Sequence, residues 1–361
     1  MGDSPLHWIE ISASALRHNL HVLRRKIPKS AKIMAMVKAN AYGHGLNIAA
    51  PVLAPHVDFF GVNTISEALT IRKLGLKTPI LITAPVSPSD FLLVAKHHIS
   101  LCVHSLDFLQ SLSLSRSSIS IHLKVNTGMN RLGLSPIELL SALALIKRSP
   151  HLTLEGIYTH FHSADTNKIA TLKQLDVFLQ TVSQTKYLFP AVLAHCANSA
   201  AIFNYSQTHL DLVRPGITIY GLSPNPSLTI IPALKPAILW KSKIVLVRNL
   251  STEETVGYGA TYTTNQKKVM GLIPLGYSDG LDIRLANKGL VYINNKSTPI
   301  IGRVAMNFIS LDLSNVANPL GKTVEILGSN QSAWDLAKST GNIAYEVLTR
   351  LSPFIPRLLT K

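Results

Sequence analysis

Cysteine is almost missing from this chain. Cys102 and Cys196 stand alone among 361 residues, with no CxxC pair. That excludes a disulfide scaffold and fits burial as small apolar side chains in a reducing compartment. Long apolar runs are missing too: none approaches the ~20 residues a membrane helix requires, so no membrane partner is expected. The opening "MGDSPLHWIEIS" carries acids and lacks the basic-then-apolar layout of a signal peptide, which makes the cytoplasm the expected location. Acidic residues are scarce, 19 against 35 Lys and Arg, for a formal charge of +16. The basic residues are nonetheless scattered, as in "LRRKIPKSAK" and "NQKKVM". With no RNP, zinc-finger or helix-turn-helix signature beside them, nucleic acid is not an expected partner. The charge reads as solubility plus attraction for small anions.

What is present is a folded-protein composition, 47% hydrophobic and 15% charged, long enough for two domains. Short β-branched or aliphatic runs recur: "KIMAMV" (32–37), "VDFFGV" (57–62), "TPILIT" (78–83), "ISLCV" (99–103), "ISIHLKV" (119–125), "TLEGIYT" (153–159), "AVLAH" (191–195), and "DLVR" with "ITIY" (211–220). Amphipathic segments such as "SASALRHNLHVLRRK" and "SPIELLSALALIKR" alternate with them. Buried runs alternating with helical periods mean a parallel sheet. About eight such units in ~220 residues predict a (β/α)8 TIM-type barrel. An open doubly wound sheet would carry GxGxxG after its first strand, and that turn is missing.

The texture changes at the proline-rich "SPNPSLTIIPALKPA" (223–237), which reads as a linker. Beyond it the pattern alternates, with "INNKS" as a hairpin turn and helices near 331–351, predicting a mostly antiparallel β domain. The expected division is a barrel over 1–230 and a β domain over 231–361, with the first ~11 residues available to pair with the latter.

On a barrel, active-site groups gather just after the strands, on one rim. Lys38 follows the first run, "NTGMNRLG" (126–133) the fifth, "HFHSAD" (160–165) the sixth, "HCANSA" (195–200) the seventh and "RPGI" (214–217) the eighth. Taken singly, His160 fits a structural histidine, Arg214 a strand cap, and Lys38 a snorkelling rim cation. Together they predict an enzyme.

With "AMVKANAYGHG", "KVNTGMNRLG", "YTHFHSAD", "HCANSAA", "VRPGITIYG", "GYGATY", "IPLGYSDG" and "GRVAMN" in order along it, the chain resembles alanine racemase. That is a pyridoxal 5'-phosphate enzyme with an N-terminal barrel and a C-terminal β domain. The resemblance implies an isomerase that interconverts L- and D-alanine by a two-base mechanism and supplies D-alanine, a peptidoglycan precursor. It implies Lys38 as the amine that forms an imine with the cofactor aldehyde and serves one face of the substrate. Tyr258 would serve the other, tuned by His160 and Arg214. Tyr42, Asn198, Ser199, Tyr345 and the amides of Gly216 and Ile217 would hold the cofactor, and Arg214 would face its pyridine nitrogen. Arg131 and the Met306 amide would bind the substrate carboxylate. Lys124 matches a lysine often carbamylated in relatives, and Asp165, Tyr277, Arg284 and Arg303 match an access corridor. A homodimer with shared active sites is implied, and no metal.

Four positions depart from the family's pattern. Asn126 stands for the aspartate of the usual "DTGM", Asn130 for the glycine after methionine, Gly257 for a serine and Asn307 for an aspartate. The lost carboxylates leave the rim more positive, and Gly257 adds backbone freedom beside Tyr258. Three other readings fit parts of the pattern. One is a racemase for serine or another small amino acid. Another is a metal-dependent barrel hydrolase using "HFH", Asp165, His195 and Lys124. The third is a non-catalytic cofactor binder.

Overall fold

The computed structural model describes residues 5–227 and 233–361. The chain forms two compact units, one of Ala15–Ala41 and Ala49–Lys235, the other of Met1–Ser14, Tyr42–Ile48 and Pro236–Lys361. The middle of the proline-rich stretch, and with it the boundary expected at 230/231, lies outside the described residues.

The first strand, β1 (His7–Ser12), belongs to the second unit. The first unit is a parallel sheet of β2 (Lys32–Met36), β3 (Phe59–Val62), β4 (Ile80–Ile82), β5 (Ile99–Val103), β6 (Ile119–Lys124), β7 (Leu152–Tyr158), β8 (Leu193–His195) and β9 (Leu212–Val213). These run in the order β8-β7-β6-β5-β4-β3-β2-β9. The ring closes where the Asp211 amide donates to Ala194 O at 3.0 Å and the Arg214 amide to Ala197 O at 2.9 Å. This is the TIM-type barrel the alternation predicts. Its strands are apolar runs because helices cover the outer face and side chains fill the inside, so β3, β4 and β5 are buried at every position.

One predicted strand is different. "ITIY" forms a 3-10 turn, Ile217–Tyr220, rather than an extension of β9. Pro215 removes an amide from the ladder, and Gly216 (φ −120°, ψ −98°) turns the chain. The buried Tyr220 hydroxyl then donates to Met36 O at 2.9 Å, pinning the end of β2.

The second unit continues with β10 (Ile238–Lys243), β11 (Leu246–Leu250), β12 (Thr255–Val256), β13 (Tyr262–Thr263), β14 (Lys268–Ile273), β15 (Leu290–Ile293), β16 (Lys296–Ile301), β17 (Ile309–Asp312), β18 (Thr323–Leu327) and β19 (Arg357–Thr360). Nine of its strands make one sheet, β11-β14-β17-β16-β15-β18-β10-β1-β19, in which only the β1–β19 pair is parallel. The hairpin expected at "INNKS" joins β15 to β16, with Ile293 opposite Lys296 and Asn294 and Asn295 at φ 50° and 62°. Asparagine tolerates that left-handed pair, whose twist matches the strands. Helices Ala333–Thr340 and Ala344–Thr349 close the unit.

Candidate active site

Lys38 lies two residues beyond β2, half-buried, where Val37 N–H donates to Gly61 O at 2.9 Å. The next four residues take left-handed backbone angles, φ 54°, 53°, 54° and 52° for Ala39, Asn40, Ala41 and Tyr42. Side chains without β-branching suit that turn. Burial lowers the Lys38 pKa, and the charges of Arg131 and Arg214 add to the effect against Glu67. A larger neutral fraction makes its amine a better nucleophile and base.

Arg131 stands exposed in the loop that leaves β6. The structure explains how Asn126 replaces an aspartate there. Its Oδ1 accepts the Gly128 and Asn130 amides at 3.2 and 3.0 Å, as a carboxylate oxygen would. Its Nδ2 donates to Asn130 Oδ1 at 2.9 Å, and Asn130 adopts φ 52°, a left-handed angle that asparagine tolerates. The two asparagines are thus a matched pair: one introduces a donor, the other supplies its acceptor.

Arg214 follows β9 and is 4% exposed. Its NH1 donates to His195 O and bonds His195 Nδ1, both at 2.9 Å, and its NH2 donates to Thr159 O at 2.7 Å. His160 Nδ1 lies 3.5 Å from the same NH2. Burial first, then Arg214, Arg131, Lys124 and Lys38, hold the His160 pKa well below the usual imidazole range. Lys124 is 5% exposed, with Nζ 5.7 Å from the centre of the Tyr158 ring. Burial lowers its pKa, as do Arg131, Arg214 and Lys38, while Cys102 opposes. The Arg214 guanidinium carbon lies 5.1 Å from that ring, and His195 stacks on it at 4.9 Å and 7°. Tyr158 was not singled out from sequence, where it reads as one more strand aromatic.

Below Arg214 the backbone is arranged for an anion. Ser199 Oγ accepts from the Gly216 amide at 2.8 Å and the Thr218 hydroxyl at 3.1 Å, which leaves its own proton to donate. Asn198 caps the Ser199–Asn204 helix by accepting from the Ala201 amide at 3.0 Å. Ile217 opens the 3-10 turn, so its amide precedes any carbonyl of that turn. This donor set of hydroxyls, amides and a cluster of cations around one amine fits a cofactor bearing a phosphate and an aldehyde.

The remaining residues lie in the second unit, apart from Asp165, which is half-buried in the loop after β7. Tyr42 is buried, its pKa raised to about 12 by that burial, with its ring 6.2 Å from Tyr345 at 51°. Tyr258 is 73% exposed, and its hydroxyl has no partner among the described residues. It sits between Gly257 (φ 73°, ψ −169°) and Gly259 (φ 72°). The first of these conformations is essentially glycine's alone, so Gly257 relieves the turn of a strain that serine would impose. Met306 is 55% exposed, and its carbonyl accepts from Ser278, which also accepts from Asn307 Nδ2 at 2.9 Å. Tyr277 is partly exposed, its amide donating to Ala305 O at 3.0 Å, and Arg303 is exposed beside Gly259. Arg284 is held in a two-pronged pair by Asp282, at 2.9 and 2.7 Å.

The hydrolase reading needs His195 as a ligand, yet both its ring nitrogens are engaged, by Arg214 and by His122. Among the described residues no group of three or more His, Cys, Asp and Glu is placed to hold a metal ion.

A closed parallel barrel with its amine, arginines and anion donors on one rim, carried on the same chain as an antiparallel β unit, defines a barrel enzyme. Two family descriptions match in sequence, "Alanine racemase, N-terminal domain" over residues 11–224 and "Alanine racemase, C-terminal domain" over 237–359. The chain belongs to the alanine racemase family. It is 39% identical to alanine racemase of Geobacillus kaustophilus, covering 97% of this chain and 94% of that protein. It is 35% identical to that of Methylacidiphilum infernorum, covering 98% and 92%. Among solved structures it matches alanine racemase of Clostridium difficile with TM-score 0.94 and 30% identity, over 99% of this chain and 96% of that one. The structure of the Bacillus anthracis alanine racemase with bound L-Ala-P matches with TM-score 0.94 and 30% identity, over 100% and 96%.

Proposed function

We propose that this protein is a pyridoxal-phosphate-dependent racemase that interconverts L- and D-alanine, a cytoplasmic homodimer supplying D-alanine. The observation that carries the reading is Lys38, a half-buried amine whose pKa is lowered by burial and by Arg131 and Arg214, on a chain of the alanine racemase family. When bound, pyridoxal phosphate holds the substrate amine on its aldehyde carbon and withdraws electrons from the Cα–H bond.

The chain's own residues divide the work. Ser199, Asn198, Tyr42, Tyr345 and the amides of Gly216 and Ile217 bind the phosphate end. Arg214 would hold the pyridine nitrogen, because a guanidinium donates a hydrogen bond without surrendering its proton. Arg131 and the Met306 amide hold the substrate carboxylate. The Lys38 amine takes or returns the Cα proton on one face, and the Tyr258 hydroxyl does so on the other. His160, kept neutral beside Arg214, is a hydrogen-bond partner able to tune that hydroxyl. Lys124, if carbamylated, would orient Arg131. Tyr277, Arg284, Arg303 and Asp165 line the access corridor. The exposure of Tyr258, at 73% with no bonded partner among the described residues, supports the two-fold sharing of sites: a proton-transfer hydroxyl needs a walled pocket, and a second copy would provide one.

The test is a visible spectrum of the purified protein, borohydride reduction with peptide mapping, and racemisation across an amino-acid panel. A yellow protein labelled at Lys38 and preferring alanine is expected. Label on another lysine, or a preference for serine or a bulkier side chain, overturns the corresponding part of the assignment.

A further inference from the structure

Inside the barrel, a line of polar side chains runs from Arg214 away from the rim. Arg214 NH1 is 2.9 Å from His195 Nδ1. His195 Nε2 is 2.9 Å from His122 Nδ1, and His122 Nε2 is 3.1 Å from Glu155 Oε2. Glu155 Oε2 also accepts from Ser100 Oγ at 2.6 Å. Both histidines are fully buried, while the Glu155 side chain is 28% exposed. None of Glu155, His122 and His195 is needed for the proton transfers described above.

The line has only one consistent polarity. A guanidinium can only donate, so His195 Nδ1 must accept and its proton must sit on Nε2. His122 Nδ1 must then accept that proton's bond, which puts the His122 proton on Nε2, aimed at the Glu155 carboxylate. Protonating either imidazole a second time would set a donor against a donor. The tautomers are therefore dictated from both ends, by a fixed cation and a fixed anion. Burial and Arg214 together keep the His195 pKa well below the imidazole range. Burial raises the Glu155 pKa, but the His122 hydrogen bond, with help from Ser100, brings it below the usual carboxylate value.

The backbone is shaped around this line. Ile121 on β6 pairs with Leu154 on β7, yet His122 pairs with Gly156, so Glu155 is an extra residue in a bulge. Bulges are rare between parallel strands and serve to re-aim a side chain. A Cβ on Gly156 would overlap the His122 ring. The sequence thus spends an irregular strand and a glycine on seating one histidine against one carboxylate.

We propose that Glu155 is a remote positioning residue for the reaction: through His122 it locks His195 in its Nε2-protonated form, so that His195 Nδ1 fixes the Arg214 guanidinium. The inference rests on the racemase reading above. With Glu155 replaced by leucine, the His122 Nε2 proton loses its acceptor and the tautomers are held from the Arg214 end alone. A His122 proton turned toward His195 then competes with Arg214 for the His195 tautomer. Glu155→Gln keeps an amide oxygen for His122 and should preserve the lock.

The experiment compares wild type, Glu155→Leu, Glu155→Gln and His122→Phe as full-length holoenzymes labelled with ¹⁵N-histidine. It reads ring-nitrogen NMR shifts alongside kcat and KM for alanine. In wild type, His195 should be protonated on Nε2 alone. Glu155→Leu and His122→Phe should shift that signature and lower kcat by roughly tenfold or more, with KM changed less than about twofold, the pattern of a lost tautomer lock. Glu155→Gln should keep the signature and stay within about threefold of wild-type kcat. A wild-type His195 protonated on Nδ1 or on both nitrogens overturns the proposal even if the leucine variant fails to fold. So does an unchanged kcat in Glu155→Leu, or equal damage in Glu155→Gln. If wild type does not racemise alanine, the functional reading fails, whereas the NMR signature still decides the lock.

Discussion

Arg214 and Tyr258 are presented by their units in opposite ways. Arg214 is 4% exposed and bonded to His195, Thr159 and, at longer range, Cys196 and His160. Tyr258 is 73% exposed, has no partner among the described residues, and stands between two glycines. The barrel unit arrives with its electrostatics already built, at the cost of burying cations. The β unit presents a hydroxyl on a small turn whose surroundings it does not itself supply.

The comparison can be broken most directly at Lys38. Lys38→Ala should abolish borohydride labelling and lower racemisation by more than about 10⁴-fold, since attachment and one base are lost together. Residual labelling at another lysine would mean that the barrel rim does not single out Lys38. Tyr258→Phe comes next: visible absorbance should persist while racemisation falls about 10²–10⁴-fold. A variant with wild-type rates would show that the exposed turn does no chemistry. Arg131→Ala should raise KM by roughly tenfold to a hundredfold through loss of a charge-assisted contact, with a smaller change in kcat. An unchanged KM would remove Arg131 from the carboxylate.

Acid should then separate the units themselves. His160 and His195 are held well below the imidazole range in the folded barrel, chiefly by burial, whereas in the unfolded chain they take protons near pH ~6.5. The unfolded state therefore binds more protons as pH falls below that value, and barrel stability declines with it. All three tryptophans, Trp8, Trp240 and Trp334, lie in the β unit. Far-UV circular dichroism, dominated by the barrel helices, should lose its melting midpoint between pH 7.5 and 5.5 faster than tryptophan fluorescence does. Equal shifts would show that the buried imidazoles do not set the barrel's acid limit.

Much of this was legible in the sequence, for identifiable reasons. Strands buried on both faces must be apolar runs, so the positions of Lys38, Arg131, His160 and Arg214 just after their strands were readable. The Asn-Asn hairpin was readable because few residues accept two left-handed positions in succession. His122 and Glu155 were not readable. Each falls inside what looks like an ordinary strand, and only the register slip at Glu155, which local sequence does not encode, places the two against each other. Tyr158 was hidden in the same way, since facing inward among cations is a property of the closed ring. "ITIY" misled because its β-branched residues favour strands, and Pro215–Gly216 outweighed them. Gly257 looked like added looseness and is instead the residue its backbone angles require.

The left-handed run at Ala39–Tyr42 bears on how the chain reaches this state in time. Each non-glycine residue held there costs roughly 1–2 kcal/mol, and local sequence gives a strand-end "KANAY" no reason to form it. Such a turn forms late, imposed by elements that are already paired, and so contributes little to the folding transition state. Glycine at the exposed position 39 should therefore slow unfolding several-fold, equivalent to about 1 kcal/mol, and leave the refolding rate almost unchanged. The stretch that follows Lys38 would then be the last to close and the first to release, a clock set by four left-handed residues.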